Sequence, residues 1–191
     1  MPVADLVDQH CHGVLRTELG LGTFEARLAT AGGQAAPGTT FFDTQTGFAV
    51  RRWCPPLLGL EPHCPPAGYL ARRRELGVLE TGRRLLRATG VTTYLVDTGL
   101  ARAPVRAGAR PRRRRPSSRR RWKLAPFGKL LFSSGAQGLP EHHVVGARQF
   151  REALGRVLGD WVADGAWSRT DATRVAAMIA SGNARRVYGP A

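Results

Sequence analysis

The sequence predicts an α/β fold, and three observations along the chain support this expectation. An apolar segment that ends in polar residues, at 4–12, is typical of a buried strand. From Pro65 to Gly90, apolar residues recur at near-helical spacing after an initial proline. The β-branched and aromatic run at 91–96 is typical of a second strand. Strand, helix and strand in this order predict a βαβ unit.

Glycines divide this first half of the chain. Gly77 is expected to split the long helical segment into two helices, and Gly90 ends the second of them. The second strand, Val-Thr-Thr-Tyr-Leu-Val, stops at Asp97, where Asp-Thr-Gly has the composition of a turn.

The second half of the chain predicts one more strand, two helices and, after them, a short turn of helix from Arg186 to Tyr188. Residues 128–133 read as a third strand that leads into a glycine-rich turn. Between 141 and 164, apolar residues recur every three or four positions, which predicts an amphipathic helix ended by Gly165. Ser168 followed by Asp171 is a capping-box start for a further helix, which 181–183 should close.

Composition is that of a globular protein of about one domain. The chain has 191 residues, of which 42% are hydrophobic and 23% charged. No stretch is long and apolar enough to span a bilayer, and the first residues lack a signal-peptide pattern, so a cytoplasmic location is expected. Cys11, Cys54 and Cys64 are too few for a disulfide framework and are expected to be reduced thiols.

The net charge of +15 is concentrated in one segment. Residues 102–123 hold 11 of the 29 basic residues and no acidic one, which leaves 18 basic against 14 acidic residues elsewhere. The Arg, Pro, Ala and Ser composition of 101–121 predicts no fixed structure. The sequence therefore divides into parts at 1–100, 101–123 and 124–191.

This arginine-rich segment supports an alternative function. It could bind polyanions, either nucleic acid without sequence preference or an acidic membrane surface. A solvated linker is the other interpretation of the same composition. The arginines that would neutralise phosphates are Arg112, Arg113, Arg114, Arg115, Arg119, Arg120 and Arg121.

Two histidines near the end of the first strand suggest a metal site. His10 and His12 are two residues apart, so on a regular strand their side chains share one face while Cys11 points to the other. Two imidazoles on one face are a common half-site for zinc, and Asp8, predicted on that face, could orient one ring by accepting its second N–H. The alternative is a pair of histidines with a surface or structural role.

Several segments together resemble a known family. VDQHCHGVL is similar to the first-strand metal motif of the amidohydrolase superfamily. KLAPFGKLLFSSGAQGLPE, FREALGRVLGDWVADGAWS and IASGNARRVYG are similar to the last strand and terminal helices of its branch related to glutamine-synthetase-fused proteins. The runs FAVRRWCPPLL and YLVDTGL resemble the stretch between that family's first two strands. The resemblance covers 1–100 and 124–191.

The resemblance implies a fold and an activity. It implies an incomplete (β/α)8 TIM-barrel fragment, with a divalent metal held by His10 and His12 at the carboxyl ends of the strands. The metal would be zinc, with manganese or iron as alternatives, and it would activate water to hydrolyse a C–N bond of a small amide-type substrate.

Two departures from the family predict an impaired or inactive enzyme. The family usually places a metal-binding aspartate in a Ser-Ser-Asp-Ala context after the last strand, whereas this chain has Gly135 at that position. A complete barrel needs about 250 residues, so this chain would be internally truncated. An incomplete barrel exposes strand edges and apolar faces, and we therefore expect marginal stability, self-association, or both.

Other polar residues could substitute for the missing ligands. His142 and His143, beside Glu141, could contribute a ligand, although polar residues in the first turn of a helix more often cap it. Asp97 faces the expected site but also fits a turn. His63 and Cys64, which lie between prolines, have no partner at metal-site spacing.

Overall fold

The computed structural model describes residues 5–29, 33–98 and 125–189. In these ranges it has two strands and six α-helices, with short 3₁₀ turns at Phe41–Asp43 and Phe127–Lys129. The strands are β1 (Leu6–His12) and β2 (Val91–Asp97). The helices are α1 (Leu21–Leu28), α2 (Gln45–Leu57), α3 (Pro66–Arg87), α4 (Pro140–Ala163), α5 (Arg169–Ala177) and α6 (Asn183–Tyr188).

The predicted (β/α)8 barrel fragment is wrong. The described part of the chain is mostly helical, and its two strands form a single two-stranded sheet, which is not a barrel-like arrangement. A barrel needs helices that each cover a strand. Here the two larger core clusters contain no strand residue, because the helices bury their apolar faces mainly against one another.

The predicted βαβ unit is confirmed. β1 and β2 are parallel neighbours, and α3 leads directly into β2. The pairing is irregular. Asp8 lies opposite Tyr94 and Cys11 lies opposite Val96, so three steps along β1 match only two steps along β2. β1 therefore carries one extra residue, a β-bulge, between Asp8 and Cys11.

The predicted third strand is not a regular strand. A 3₁₀ turn occupies Phe127–Lys129, and the chain then runs along the other edge of β1 as an extended segment at 130–138. Its backbone makes hydrogen bonds to β1, including Gln9 N–H to Phe132 O at 3.1 Å and His12 N–H to Ala136 O at 2.7 Å. The positive φ angles of Gly135 and Gly138 interrupt the extended conformation, so the ladder does not continue regularly.

The helix predictions are confirmed with one correction. Gly77, at φ 74° and ψ 161°, breaks α3 into two helical pieces, as predicted. α4 spans the predicted amphipathic segment, and the Ser168 side chain accepts from the Asp171 N–H at the start of α5. The segment 181–183 does not close that helix, since a π-turn at Met178–Gly182 carries it on into α6.

The core joins residues from both ends of the chain. Phe24 of α1, Val50 of α2 and Tyr69 of α3 belong to the same buried cluster as Val144 and Val145 of α4. α4 also packs against the extended segment 130–138, because Gly146 has no side chain to keep Ser134 away. This contact brings the first turns of α4 next to β1. The proposed unstructured segment, 101–121, lies outside the described residues.

Candidate metal centre

The carboxyl ends of β1 and β2 bring together two histidines and an aspartate. His12 lies opposite Asp97 in the parallel register. One ligand atom each from His10, His12 and Asp97 lies within 4.8 Å of the others. Parallel strands end at the same edge of a sheet, which explains why residues 85 positions apart converge here. We call these three residues the exposed site, since His10 and Asp97 are exposed and His12 is half-buried.

A backbone contact orients the ring of His12, and the ring of His10 packs edge-on against it. The ring centroids of His10 and His12 are 5.1 Å apart, with the rings nearly perpendicular. His12 Nδ1 lies 3.2 Å from the carbonyl oxygen of Asp97. Because a carbonyl only accepts, Nδ1–H is the donor, which leaves Nε2 as the nitrogen that can bind an ion. A backbone carbonyl that holds the second ring nitrogen of a ligand is a common feature of metal sites.

The glycine turn of the extended segment lies against the backbone of the exposed site. The Gly135 N–H donates to the His10 carbonyl at 3.1 Å, and Ser133 Oγ donates to the same oxygen at 2.8 Å. The turn with Gly135 therefore lies beside the strand end that carries the two histidines, and Gly135 itself adds no carboxylate. A Cβ built on Gly135 would meet no other atom within 4 Å.

Asp8 does not lie beside the two histidines, so its predicted orienting role is wrong. Its side chain is fully buried and accepts hydrogen bonds from the N–H of Ser134, at 3.0 Å, and from Ser134 Oγ. The prediction assumed strict alternation along β1. The extra residue of the bulge reverses the alternation after Asp8 and places it on the same side as Cys11.

A second group of possible ligands results from this reversal. Asp8 and Cys11 are both 0% exposed, and His143 of α4 is 3% exposed. One ligand atom of each lies within 4.8 Å of the others, and His143 Nδ1 is 3.9 Å from Asp8 Oδ2. We call these residues the buried site. The sequence placed Cys11 away from the histidines, and nothing in it marks the bulge that unites Cys11 with Asp8.

The ring of His143 has no hydrogen bond of good geometry. Both of its nitrogens are buried and make no hydrogen bond of normal length and angle. The backbone of His12 makes a weak hydrogen-bond contact with the ring, and Tyr94 packs edge-on against it at 5.4 Å. Burial lowers the pKa of His143, and the neighbouring Asp8 opposes that shift. The ring is therefore neutral near pH 7 and has a lone pair available.

The remaining candidates lie away from both groups or have other partners. Glu141 is fully buried, accepts from the Tyr69 hydroxyl at 2.7 Å and pairs with Arg73 at 2.9 Å. His142 Nδ1 lies 3.2 Å from the Gln137 carbonyl, and burial lowers the pKa of His142. His63 and Cys64 join neither group of possible ligands in the described ranges.

The remaining functional predictions concern other parts of the chain. The arginines from Arg112 to Arg121 lie outside the described residues, so polyanion binding stays a prediction. Along the ranges that the structure describes, no helix combines the length and apolar character that crossing a membrane requires.

Comparisons with protein-family models, with curated proteins and with solved structures gave no match to this chain.

Proposed function

We propose that this protein is a metal-dependent hydrolase whose divalent ion, zinc in the first instance, is held by His10, His12 and Asp97. The observation that carries the proposal is the convergence of two imidazoles and a carboxylate at one edge of a parallel sheet. Two histidines and one carboxylate are a ligand set of catalytic zinc, which leaves a position for water. The sequence resemblance to amidohydrolases adds the substrate class, a small molecule with an amide-type C–N bond.

The chain's own groups have defined roles in this proposal. A bound divalent ion would supply Lewis-acid activation of water. His12 offers Nε2 while its Nδ1–H stays on the Asp97 carbonyl. The backbone of His10 is fixed by the Ser133 hydroxyl and the Gly135 N–H, which limits movement of the strand end. No carboxylate stands at 135 to take a proton, so we propose slow turnover.

Metal content tests the binding step. Purified protein should lose one equivalent of zinc per chain in the His10→Ala/His12→Ala double variant, because both imidazole donors are gone. His63→Asn is the control: it removes an exposed histidine whose φ of 61° asparagine tolerates, and it should leave the metal content unchanged. Equal zinc in the wild type and the double variant would refute the site.

The activity step needs its own measurement. Hydrolysis of chromogenic anilides, followed with and without added zinc, should give a slow rate that depends on the metal and vanishes in the double variant. The zinc-loaded wild type should also be compared with the double variant on a panel of anilides, formamides and amidines. If its turnover does not exceed that of the double variant on any of them, the protein only binds metal and the hydrolase proposal is overturned.

A further inference from the structure

The buried site has the chemistry of a metal centre rather than of a reactive cysteine. The same three residue types also form catalytic sites, in which cysteine is the nucleophile and histidine is its base. A nucleophilic cysteine, however, needs access to substrate and a lowered pKa. Cys11 is 0% exposed, so no substrate can reach its thiol, and the burial excludes it as a nucleophile.

We propose that Asp8, Cys11 and His143 form a second, buried metal site, in which they supply three of the four ligands of a thiophilic divalent ion such as zinc. A fully buried histidine with neither nitrogen in a hydrogen bond of good geometry carries a desolvation penalty that coordination would remove. The unpartnered ring lies beside a carboxylate oxygen at 3.9 Å and within 4.8 Å of the thiol sulfur. Sulfur, nitrogen and oxygen donors are the ligands that zinc uses in proteins.

Charge balance fits the burial of this site. On binding, the S–H bond of Cys11 breaks, a bond from sulfur to the metal forms, and the proton leaves to solvent. One thiolate and one carboxylate then neutralise a divalent ion, and His143 contributes no charge. An uncharged centre is the kind that a dry interior accepts at low cost. The exposed site, with one carboxylate, keeps a net positive charge and faces water.

The surroundings hold the three ligands in place without occupying them. Asp8 receives the N–H and the hydroxyl of Ser134, and a carboxylate has about four acceptor positions, so two remain. The thiol of Cys11 has one contact, a weak hydrogen bond to the Leu95 carbonyl at 3.7 Å. Donors around zinc lie about 3.5 Å apart, so small side-chain rotations close the site.

Such an ion would connect distant parts of the chain. β1 supplies Asp8 and Cys11, while His143 comes from the first turn of α4. The bond would fix the beginning of α4 to the centre of the sheet, next to the strand end that carries His10 and His12. We therefore assign the buried site a stabilising role and place no reaction there.

Cobalt distinguishes the two sites, because only thiolate ligands give an intense sulfur-to-cobalt charge-transfer band in the near ultraviolet. Metal-free full-length protein titrated with Co²⁺ should develop this band and bind two ions per chain. Cys11→Ser should abolish the band and leave one ion. His10→Ala/His12→Ala should keep the band and also leave one ion. Cys54→Ser is the matched control, since that thiol is equally buried and should leave the band intact.

Each other outcome overturns a specific statement. Three results would each refute a separate buried site: no band in the folded wild type, a band that survives Cys11→Ser, or a band that is lost in the double histidine variant. An intact band with unchanged ion count in the double histidine variant refutes the exposed site alone. If Cys11→Ser does not fold, X-ray absorption of the zinc-loaded wild type decides, because the proposal requires a sulfur neighbour at about 2.3 Å.

Discussion

Single residues at the carboxyl edge of the sheet determine what the exposed site can do. Asp97 adds a carboxylate to the two histidines, and its own backbone carbonyl fixes the ring of His12. Gly135 lies next to the same strand end and contributes only a backbone N–H. The site thus has donors for an ion, and the residue at 135 adds no carboxylate that could act as a general base. Replacing this one glycine tests whether the missing carboxylate limits the rate.

Gly135→Asp should raise the rate of metal-dependent amide hydrolysis by about 10²-fold or more, the usual contribution of a general base. The Cβ has open space, and aspartate tolerates a φ of 58° better than most residues. Gly135→Asn is the matched control, because it has the same shape and backbone cost but cannot accept a proton. Steady-state rates at equal zinc loading measure the effect; equal rates for the two variants would contradict it.

At the level of elements, local sequence patterns predicted both strands and the long helices but not how they pack. β-branched residues predict β2, and three- and four-residue apolar spacing predicts α4, because these signals are local. The bulge after Asp8 depends on pairing with β2, and the interrupted strand at 130–138 depends on glycine conformations. The burial of Cys11 and Asp8 on one side could therefore not be read from alternation. Neither α1 nor α2 was predicted, and the two prolines inside the last turn of α2, Pro55 and Pro56, are residues that disfavour a helix interior.

The contact between α4 and the extended segment is predicted to tolerate no side chain at Gly146. A Cβ there would lie 2.8 Å from Ser134 Cβ and 3.1 Å from Ser134 Cα, so the backbone would have to move. Gly146→Ala should therefore destabilise the protein by about 1 to 3 kcal/mol. Gly155→Ala on the same helix meets no atom within 4 Å and should stabilise it by about 0.5 to 1 kcal/mol. Urea unfolding followed by circular dichroism measures both; destabilisation of similar size in both variants would contradict the close packing.

For the whole molecule, the described core is built largely from helices, and the small sheet is left partly open. The helical clusters bury residues from α1 to α5, while β2 has a strand partner on one side only within the described ranges. Val96 of β2 is 49% exposed. An apolar strand with an unpaired edge is a site for pairing with another chain. The self-association that the sequence predicted therefore keeps a physical basis after the barrel prediction is abandoned.

A lysine on this edge should keep the chains apart. The wild type is expected to show a mass that rises with concentration, measured by light scattering after size exclusion at about 0.15 M salt, which limits repulsion from the net charge of +15. Val96→Lys should remain a monomer, because burying the new charge at a strand edge is costly. Val187→Lys is the matched control on α6, where the valine is 54% exposed and lies outside the sheet, and it should behave as the wild type. A wild type that is monomeric at every concentration, or two variants with the same effect, would show that β2 is not the contact between chains.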